Sequence, residues 1–368
     1  MMENPIFVTQ PNLPSLDEFI PYLKTIWENK QFTNNGPMHR ALEDKLCEHL
    51  GVEYISLFNN GTIALITAVQ ALGIKGEVIT TPYSFVATAH SLVLNGLEPV
   101  FVDIDPKTLN IDPKKIEAAI TPDTQAIMPV HCYGNPCDTK AIAEIAKKHN
   151  LKVIYDAAHA FGVEDDNGSI LRHGDLSVLS FHATKVFSTF EGGAIVCNSR
   201  EMKEKIDRLK NFGFVDETSI SSIGTNGKMS EVNAAFGLLQ LNYMETYMRG
   251  RMKVDHFYRH QLKNIAGIKL INSSGQKVSN YSYFPILIEN TFPLSRDELF
   301  NYLKKKNIFA RRYFYPLIPD FEAYNSYGKL NDISNAHNVS CKVLCLPMYP
   351  TLEPEILEYI VTTIKDIK

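Results

Sequence analysis

Two positions in the chain carry side chains that could take part directly in one reaction. Lys185 follows the apolar run 176–179, and a lysine in such surroundings has a lowered pKa and can attack a carbonyl group. Asp156 ends the apolar run 153–155, where a carboxylate costs free energy unless a cation or hydrogen-bond donors meet it. Taken alone, Lys185 could be a solvated surface lysine and Asp156 a helix cap.

A third position could bind an anion. Gly61 and Thr62 follow a predicted strand and open a predicted helix, where backbone N–H groups and the helix dipole favour a phosphate. A structural turn explains this position equally well on its own. Together, however, the three positions meet the needs of pyridoxal phosphate. That cofactor requires a lysine that forms an imine, an acid that keeps the pyridine nitrogen protonated, and a phosphate cup.

The elements that must position these residues alternate along the first two-thirds of the chain. Short apolar runs typical of buried strands are separated by amphipathic helices, which predicts an α/β fold with a mostly parallel sheet covered on both faces. The predicted strands include 54–58, 78–82, 100–103, 126–130, 153–156, 177–179 and 194–197. In such sheets ligands bind at the carboxyl ends of the strands, where all three positions fall.

The rhythm changes in the last third of the chain. A single long helix is expected over residues 230–248, followed by a smaller α+β unit. Its expected elements are a strand over 281–288, a helix over Arg296–Lys305, a strand near Ile308 and a final helix from Pro354. We therefore predict a large domain over residues 1–249, which includes an N-terminal helical segment, and a small domain over 250–368.

Composition excludes several classes of protein. The 368 residues are 45% hydrophobic with a net charge of -4, which is typical of a soluble globular chain and gives no electrostatic reason to expect nucleic acid. No apolar run is long enough to cross a bilayer. The start, Met1-Met2-Glu3-Asn4-Pro5, has no basic segment followed by an apolar one. The six cysteines lack the spacing of a zinc site. We expect a cytoplasmic protein without a metal.

At this point the sequence resembles the sugar aminotransferases of the DegT/DnrJ/EryC1/StrS family over nearly its whole length. The blocks that carry the resemblance are 33–37, 60–62, 81–88, 156–160, 180–185, 191–194, 228–231 and 344–347. The resemblance implies the aspartate aminotransferase fold (fold type I), with a sheet of the seven-stranded type. It also implies pyridoxal phosphate as cofactor, with pyridoxamine phosphate as an intermediate form.

The resemblance assigns roles to individual residues. Lys185 would hold the cofactor and move a proton between the cofactor and the sugar. Asp156 would pair with the pyridinium, Phe85 would stack on the ring, and His159 would lie near the ring hydroxyl. The phosphate would be bound by Gly61, Thr62 and Ser180, and His182 would line the substrate side.

The family also implies a homodimer in which each active site is shared. The segment 224–228 would reach across to the phosphate held by the other subunit. Asn226 and Lys228 both remain candidates for the donor to that phosphate. Arg312 and Tyr315, in the loop 311–316, are expected to contact the diphosphate and the sugar, although a basic aromatic surface loop is an alternative for this segment.

The expected substrates are a nucleotide-linked keto sugar and L-glutamate. The block 181–193 is most similar to enzymes that aminate the C4 ketone of dTDP-4-dehydro-6-deoxyglucose. Alternatives are formation of the galacto epimer and action on another nucleotide sugar, linked to UDP or carrying a C3 ketone. Dehydration is disfavoured by Lys185, and an oxidoreductase by the lack of a dinucleotide-binding glycine motif. A non-catalytic regulatory protein that binds pyridoxal phosphate is disfavoured by the complete set of Lys185, Asp156 and Phe85.

Overall fold

A computed structural model describes residues 4–272 and 275–367, so residues 1–3 of the N-terminal sequence considered above lie outside it. The helices are α1 (Leu16–Asn29), α2 (Pro37–Leu50), α3 (Gly61–Leu72), α4 (Ala87–Val93), α5 (Pro113–Ile116), α6 (Thr139–His149), α7 (Arg200–Leu209), α8 (Glu231–Leu241), α9 (Met244–Leu262), α10 (Arg296–Lys305), α11 (Ser334–Ser340) and α12 (Pro354–Lys365). Short 3₁₀ helices lie at Glu117–Ala119, Cys132–Gly134, Ile170–Arg172, Ile318–Asp320 and Glu322–Tyr324.

The strands follow the predicted alternation with the helices. They are β1 (Ile6–Phe7), β2 (Tyr54–Phe58), β3 (Glu77–Thr80), β4 (Glu98–Phe101), β5 (Thr124–Met128), β6 (Lys152–Asp156), β7 (Glu164–Asp165), β8 (Gly168–Ser169), β9 (Leu176–Ser180), β10 (Gly193–Cys197), β11 (Ile268–Leu270), β12 (Phe284–Ile288), β13 (Ile308–Phe309), β14 (Lys329–Leu330) and β15 (Val343–Leu346).

The main sheet has the strand order β14-β4-β3-β5-β6-β9-β10-β2. All neighbours are parallel except β10, which is antiparallel to both β9 and β2. The two-residue strand β14 extends the expected seven strands by one at the edge. Helix α3 packs on one face of the sheet through Ala64, Ala68 and their neighbours, while Ile142 and Ala146 of α6 pack on the other. The mostly parallel α/β fold is therefore confirmed.

The C-terminal part of the chain builds a second core around a small antiparallel sheet. Strands β11, β12 and β15 pair in that order, and α9, α10 and α12 contribute buried residues to the same cluster. The N-terminal strand β1 pairs with β13 of this part. The proposed division at residue 249 lies inside α9, which runs without a break from Met244 to Leu262. The division stays a prediction.

Two expected elements differ from the structure. The single helix over 230–248 is two helices, because a tight turn through Asn242 and Tyr243, with bonds from Asn242 N to Leu239 O and from Tyr243 N to Gln240 O, separates α8 from α9. The strand expected over 281–288 begins only at Phe284. Residues 280–283 instead run to the loop after β6, where the side chains of Asn280 and Ser282 donate to the carbonyl of His159. Within the described ranges, no helix has the length and apolar character of a bilayer span.

Candidate active site

A cavity of about 260 Å³ opens at the carboxyl ends of the central strands. It lies between the main sheet and three residues of the C-terminal part, Tyr283, Tyr313 and Phe314. The sequence-predicted residues that line it are Gly61, Thr62, Phe85, Asp156, His159, Ser180, His182 and Lys185. Residues far apart in sequence are thus brought to one place by the parallel order of the strands, as expected for this class of sheet.

Lys185 lies in the loop between β9 and β10. Its backbone N–H donates to the carbonyl of His182 at 2.8 Å, so the loop turns back and directs this stretch toward the cavity. Burial lowers the pKa of Lys185 from its usual 10.5 to about 8. The Nζ atom lies 3.5 Å from the hydroxyl oxygen of Tyr283. Near neutral pH this lysine therefore has a neutral, nucleophilic fraction that an ordinary surface lysine lacks.

Asp156 is the last residue of β6 and is only 5% exposed. Its Oδ2 accepts a hydrogen bond from Thr88 Oγ1 at 2.7 Å, and its Oδ1 accepts one from the N–H of Ala158 at 3.1 Å. Burial raises the pKa of Asp156 in spite of these two donors. A cationic ring nitrogen in the cavity would supply the opposite charge that favours the carboxylate form.

The start of α3 forms the anion-binding side of the cavity. The Asn60 side chain caps the helix by accepting the N–H of Ile63 at 2.8 Å, and Gly61 and Thr62 of the first turn line the cavity. A Cβ atom on Gly61 would lie 3.0 Å from Ser180 Cβ. The glycine therefore lets the helix start pack closely against β9, which brings Ser180 beside the first-turn N–H groups. These groups and the helix dipole favour a phosphate.

His159 is buried, and one hydrogen bond determines the tautomer of its neutral ring. Its Nδ1 accepts the N–H of Tyr133 at 3.2 Å, so the ring proton of the neutral form resides on Nε2. Burial, aided by the charge of Lys185, holds the pKa of His159 well below its usual range. The ring is parallel to Phe314 at a centroid distance of 6.0 Å and meets Tyr283 edge-on at 5.0 Å. A neutral, oriented imidazole of this kind can donate one hydrogen bond.

Phe85 and His182 lie on the open side of the cavity. The Phe85 side chain is 59% exposed, which leaves its ring available to another ring. His182 accepts at Nδ1 from the N–H of Thr184 at 3.2 Å, and its Nε2 lies 3.5 Å from a carboxylate oxygen of Glu191. Both side chains are therefore accessible from the solvent side of the cavity.

Asn226 and Lys228 are not among the residues that line the cavity. Lys228 Nζ donates to Asn211 Oδ1 at 2.9 Å and lies 4.7 Å from the centroid of the Phe212 ring. The Asn226 carbonyl accepts from Asn59 Nδ2 at 3.4 Å. Lys228 lines a separate polar pocket with Asn34 and Asn35 among others. Neither side chain lines the cavity of its own chain, and their predicted role concerns the phosphate held by a second subunit.

Arg312 and Tyr315 also lie away from the cavity lining. Arg312 pairs with Asp297 at 2.9 Å and stacks over the Phe300 ring at 4.7 Å. Tyr315 covers the guanidinium of Arg296 at 4.4 Å. The residues of this loop that do line the cavity are the two between them, Tyr313 and Phe314. A contact of Arg312 or Tyr315 with a substrate stays a prediction.

Several residues that line the cavity or contact its lining were not identified from the sequence. Thr88 bonds Asp156 and could have been found, because it lies one helical turn after Phe85 in a block already singled out. Tyr283, Tyr313 and Phe314 come from the C-terminal part; the last two lie in the loop 311–316, from which Arg312 and Tyr315 were predicted instead. In the ranges that the structure describes, no three His, Cys, Asp or Glu side chains are grouped as a metal site.

The sequence matches the DegT/DnrJ/EryC1/StrS aminotransferase family over residues 15–365. The chain belongs to that family. The predicted resemblance and the predicted enzyme class are confirmed, and an oxidoreductase is set aside. Among curated relatives, the chain is 79% identical over 367 residues, 100% of both sequences, to the "dTDP-4-amino-4,6-dideoxy-D-glucose transaminase" of Shigella dysenteriae.

Solved structures with similar sequences have the same fold. The structure of DesI, determined in the presence of its TDP-sugar product, superposes with a TM-score of 0.94 at 31% identity and covers 99% of this chain and 93% of that one. NtdA of Bacillus subtilis, with bound cofactor PMP, superposes with a TM-score of 0.88 at 28% identity, covering 100% and 86%. The likeness extends over both the main sheet and the C-terminal part.

Proposed function

We propose that this aminotransferase moves the amino group of L-glutamate to the C4 ketone of dTDP-4-dehydro-6-deoxy-D-glucose. The product is dTDP-4-amino-4,6-dideoxy-D-glucose, an amino sugar for polysaccharides such as the lipopolysaccharide O-antigen. The observation that carries the proposal is the 79% identity, over the full length of both chains, to a transaminase named for this product.

The cofactor is pyridoxal phosphate, with pyridoxamine phosphate as the intermediate form, and the cavity fits it. Lys185 has a lowered pKa, Asp156 is a buried carboxylate, and α3 presents its N-terminus to the same space. When bound, the cofactor supplies a carbonyl carbon that carries the amino group and a ring that withdraws electrons. The cavity thus offers the lysine, the acid and the phosphate site that the sequence analysis predicted.

Residues of the chain hold the cofactor, transfer the proton and stabilise the charge on the ring. Lys185 Nζ holds the cofactor and, as a neutral amine, takes up and returns the proton that must reach C4 of the sugar. Asp156 supplies the negative charge that favours a protonated ring nitrogen, and Thr88 and Ala158 keep this carboxylate in place. His159 donates from Nε2 to the ring hydroxyl.

Different residues of the cavity would hold the phosphate and the substrate. Gly61, Thr62 and Ser180 bind the phosphate through N–H and hydroxyl groups at the start of α3. On the open side, Phe85 stacks on the cofactor ring and His182 faces the sugar, where both residues are accessible.

The active enzyme is a cytoplasmic homodimer in this proposal. Two features support the second subunit: Asn226 and Lys228 lie outside their own cavity, and the loop that precedes them carries exposed apolar side chains. These side chains are Phe212, Phe214, Val215, Ile220 and Ile223, the last of them 93% exposed. Contact with a second copy would cover them and bring Asn226 or Lys228 to the other cavity.

A substrate panel tests the reaction. The purified protein is incubated with L-glutamate and a set of dTDP- and UDP-linked 4-keto and 3-keto sugars, and product configuration is read by NMR. We expect turnover of dTDP-4-dehydro-6-deoxyglucose with an equatorial C4 amine. An axial amine would indicate the galacto epimer, and preference for another nucleotide or ketone position would contradict the proposed substrate.

A mixing experiment tests the shared site. Chains carrying Lys185→Ala are mixed, under exchange conditions, with chains carrying both Asn226→Ala and Lys228→Ala. Each heterodimer then contains one cavity with an intact lysine and an intact neighbouring loop, so activity should recover toward half of the wild-type value. Heterodimers that are confirmed by native mass spectrometry yet remain inactive would show that the loop does not act across the interface.

A further inference from the structure

Residues 280–283, here called the clamp segment, extend from the C-terminal part of the chain to the cavity. They precede β12 and do not join its sheet, since β12 begins at Phe284. Within them Tyr281 has a φ of 50°, in the left-handed region, so the backbone departs from an extended course. The clamp segment is the point where this part of the chain meets the loop after β6.

The polar side chains of the clamp segment fix it to the main domain. Asn280 Nδ2 donates to the carbonyls of His159 at 2.7 Å and Phe161 at 3.0 Å. Ser282 Oγ donates to the same His159 carbonyl at 2.6 Å. Asn280 is 1% exposed and Ser282 6%. Buried hydrogen bonds of this kind are costly to break, so the segment has one strongly preferred position.

Arg251, from α9, holds the backbone of the clamp segment from the other side. Its Nη1 donates to the carbonyls of Tyr281 at 3.2 Å and Ser282 at 3.3 Å, and to that of Met348 at 3.3 Å. The side chain is buried, and burial lowers the pKa of Arg251 to about 10. This buried cation takes no part in the proposed reaction, yet it binds the backbone of Tyr281 and Ser282, the two residues before Tyr283.

Tyr283 is thereby held between aromatic rings with its hydroxyl in the cavity. Its ring lies edge-on to His159 at 5.0 Å, to Tyr133 at 5.9 Å and to Tyr313 at 5.7 Å. Its hydroxyl oxygen lies 3.5 Å from Lys185 Nζ. Burial raises the pKa of Tyr283, so its phenol stays protonated at physiological pH. A hydroxyl can both donate to a neutral amine and accept from an ammonium.

We infer that Tyr283 is a catalytic residue, whose hydroxyl receives the Lys185 amine whenever that amine is not bonded to the cofactor. The inference rests on the proposed role of Lys185. During transamination the Lys185 amine would be freed from the cofactor and would have to return to it. A flexible amine without a partner would explore other positions, and misplacement by about 1 Å can cost on the order of a hundredfold in rate. Asn280, Ser282 and Arg251 act as positioning residues for Tyr283.

The first test measures how fast cofactor-free protein recaptures pyridoxal phosphate. Tyr283→Phe removes only the hydroxyl, and Tyr281→Phe, two residues earlier on the same segment, is the matched control. The rise of the protein-bound chromophore is followed by stopped-flow absorbance. We expect Tyr283→Phe to slow it by about tenfold, while Tyr281→Phe stays within about twofold of the wild type. Equal rates for all three proteins would overturn the inference.

Steady-state kinetics separate this role from a structural one. Tyr283→Phe should lower kcat by about tenfold or more and leave KM for both substrates within about twofold, with an unchanged melting temperature. A loss of thermal stability with normal kcat would assign Tyr283 to packing alone and overturn the inference. The recapture rate needs no sugar, so it remains decisive even if the proposed substrate is wrong.

A second variant keeps the inference testable if Tyr283→Phe does not fold. Asn280→Ala retains the Tyr283 hydroxyl but removes the two hydrogen bonds that the Asn280 side chain donates to the carbonyls of His159 and Phe161. In Asn280→Ala, the rate of recapture should lie between those of the wild type and Tyr283→Phe. Asn280→Asp retains the shape of the side chain but not its donor group, so its recapture should also be slower than that of the wild type. Wild-type recapture in Asn280→Ala would contradict the positioning role of the clamp segment.

Discussion

Two groups of buried charges in this molecule have opposite electrostatics. In the cavity, Lys185 has a pKa lowered to about 8 and Asp156 has a raised pKa, in both cases because burial outweighs the available partners. In the second group, Glu43 of α2 lies 2.9 Å from Lys203 of α7 and 3.5 Å from Lys210, while Asp207 of α7 lies 2.9 Å and 2.7 Å from the same lysines.

In this second group, the ion network, the charged forms are favoured. Burial raises the pKa of Glu43, but the hydrogen bond from His39 and the charges of Lys210 and Lys203 hold it well below its usual range. The pKa of Lys203 is raised by Glu43 and Asp207 in spite of burial. Compensated buried charges thus remain in their charged forms, whereas charges with too few partners are available for chemistry or for a ligand.

The largest expected effect comes from removing the uncompensated lysine. Lys185→Ala should abolish measurable transamination and the yellow colour of the cofactor-bound protein, because no other amine in the cavity lining can replace it. Lys152→Ala is the control and should retain full activity, since Lys152 pairs with Asp175 and does not line the cavity. Normal turnover by Lys185→Ala would contradict the claim that this cavity is the active site.

A smaller but still large effect is expected at the uncompensated acid. Asp156→Asn keeps the size of the side chain but removes the charge that favours a protonated ring nitrogen. Single-turnover rates should fall by about 10²- to 10³-fold, similar to the loss of other preorganised electrostatic groups, while cofactor binding persists. Asp175→Asn serves as the control. Rates close to wild type in Asp156→Asn would show that the buried charge has no catalytic role.

Replacing a lysine should change the free energy of unfolding in opposite directions in the two groups. Below pH 8 Lys185 is protonated in both the folded and the unfolded chain, and its lowered folded pKa makes the charge a cost to the cofactor-free protein. Lys185→Met should therefore raise the free energy of unfolding at pH 7 by about 1–3 kcal/mol, and the gain should vanish as pH rises toward 10.5.

The matched change in the ion network should act in the opposite direction. Lys203→Met leaves Glu43 and Asp207 with fewer partners and should lower the free energy of unfolding by about 1–3 kcal/mol, with activity of the folded enzyme unchanged. Both variants are compared by urea denaturation of cofactor-free protein. Destabilisation of the same size by both would mean that the two lysines are equally compensated.

Sequence patterns predicted the strand ends and the residues that follow them, because one parallel sheet forces Gly61, Asp156 and Lys185 to the same edge. The helix over Arg296–Lys305 has the bounds that were predicted, and a capping box of Ser295 and Glu298 marks its start. Local patterns of this kind depend on neighbours in sequence and are therefore visible in it.

Features that depend on distant contacts were not visible. The bend between α8 and α9 interrupts a continuous apolar pattern, and the clamp segment resembles a strand until its bonds to His159 are seen. Tyr313 and Phe314 line the cavity, whereas the basic and aromatic neighbours chosen from the sequence, Arg312 and Tyr315, pack on α10. Only the tertiary arrangement determines which residues of that loop face inward.

The most direct measurement is the titration of individual lysines in the cofactor-free protein. Competitive labelling over a range of pH, read by peptide mass spectrometry, reports the pKa of Lys185 and of Lys203 in one sample. The account predicts a midpoint near 8 for Lys185 and one above 10.5 for Lys203. A Lys185 that titrates at or above its usual 10.5 would contradict the claim that an uncompensated, buried amine makes this cavity the active site.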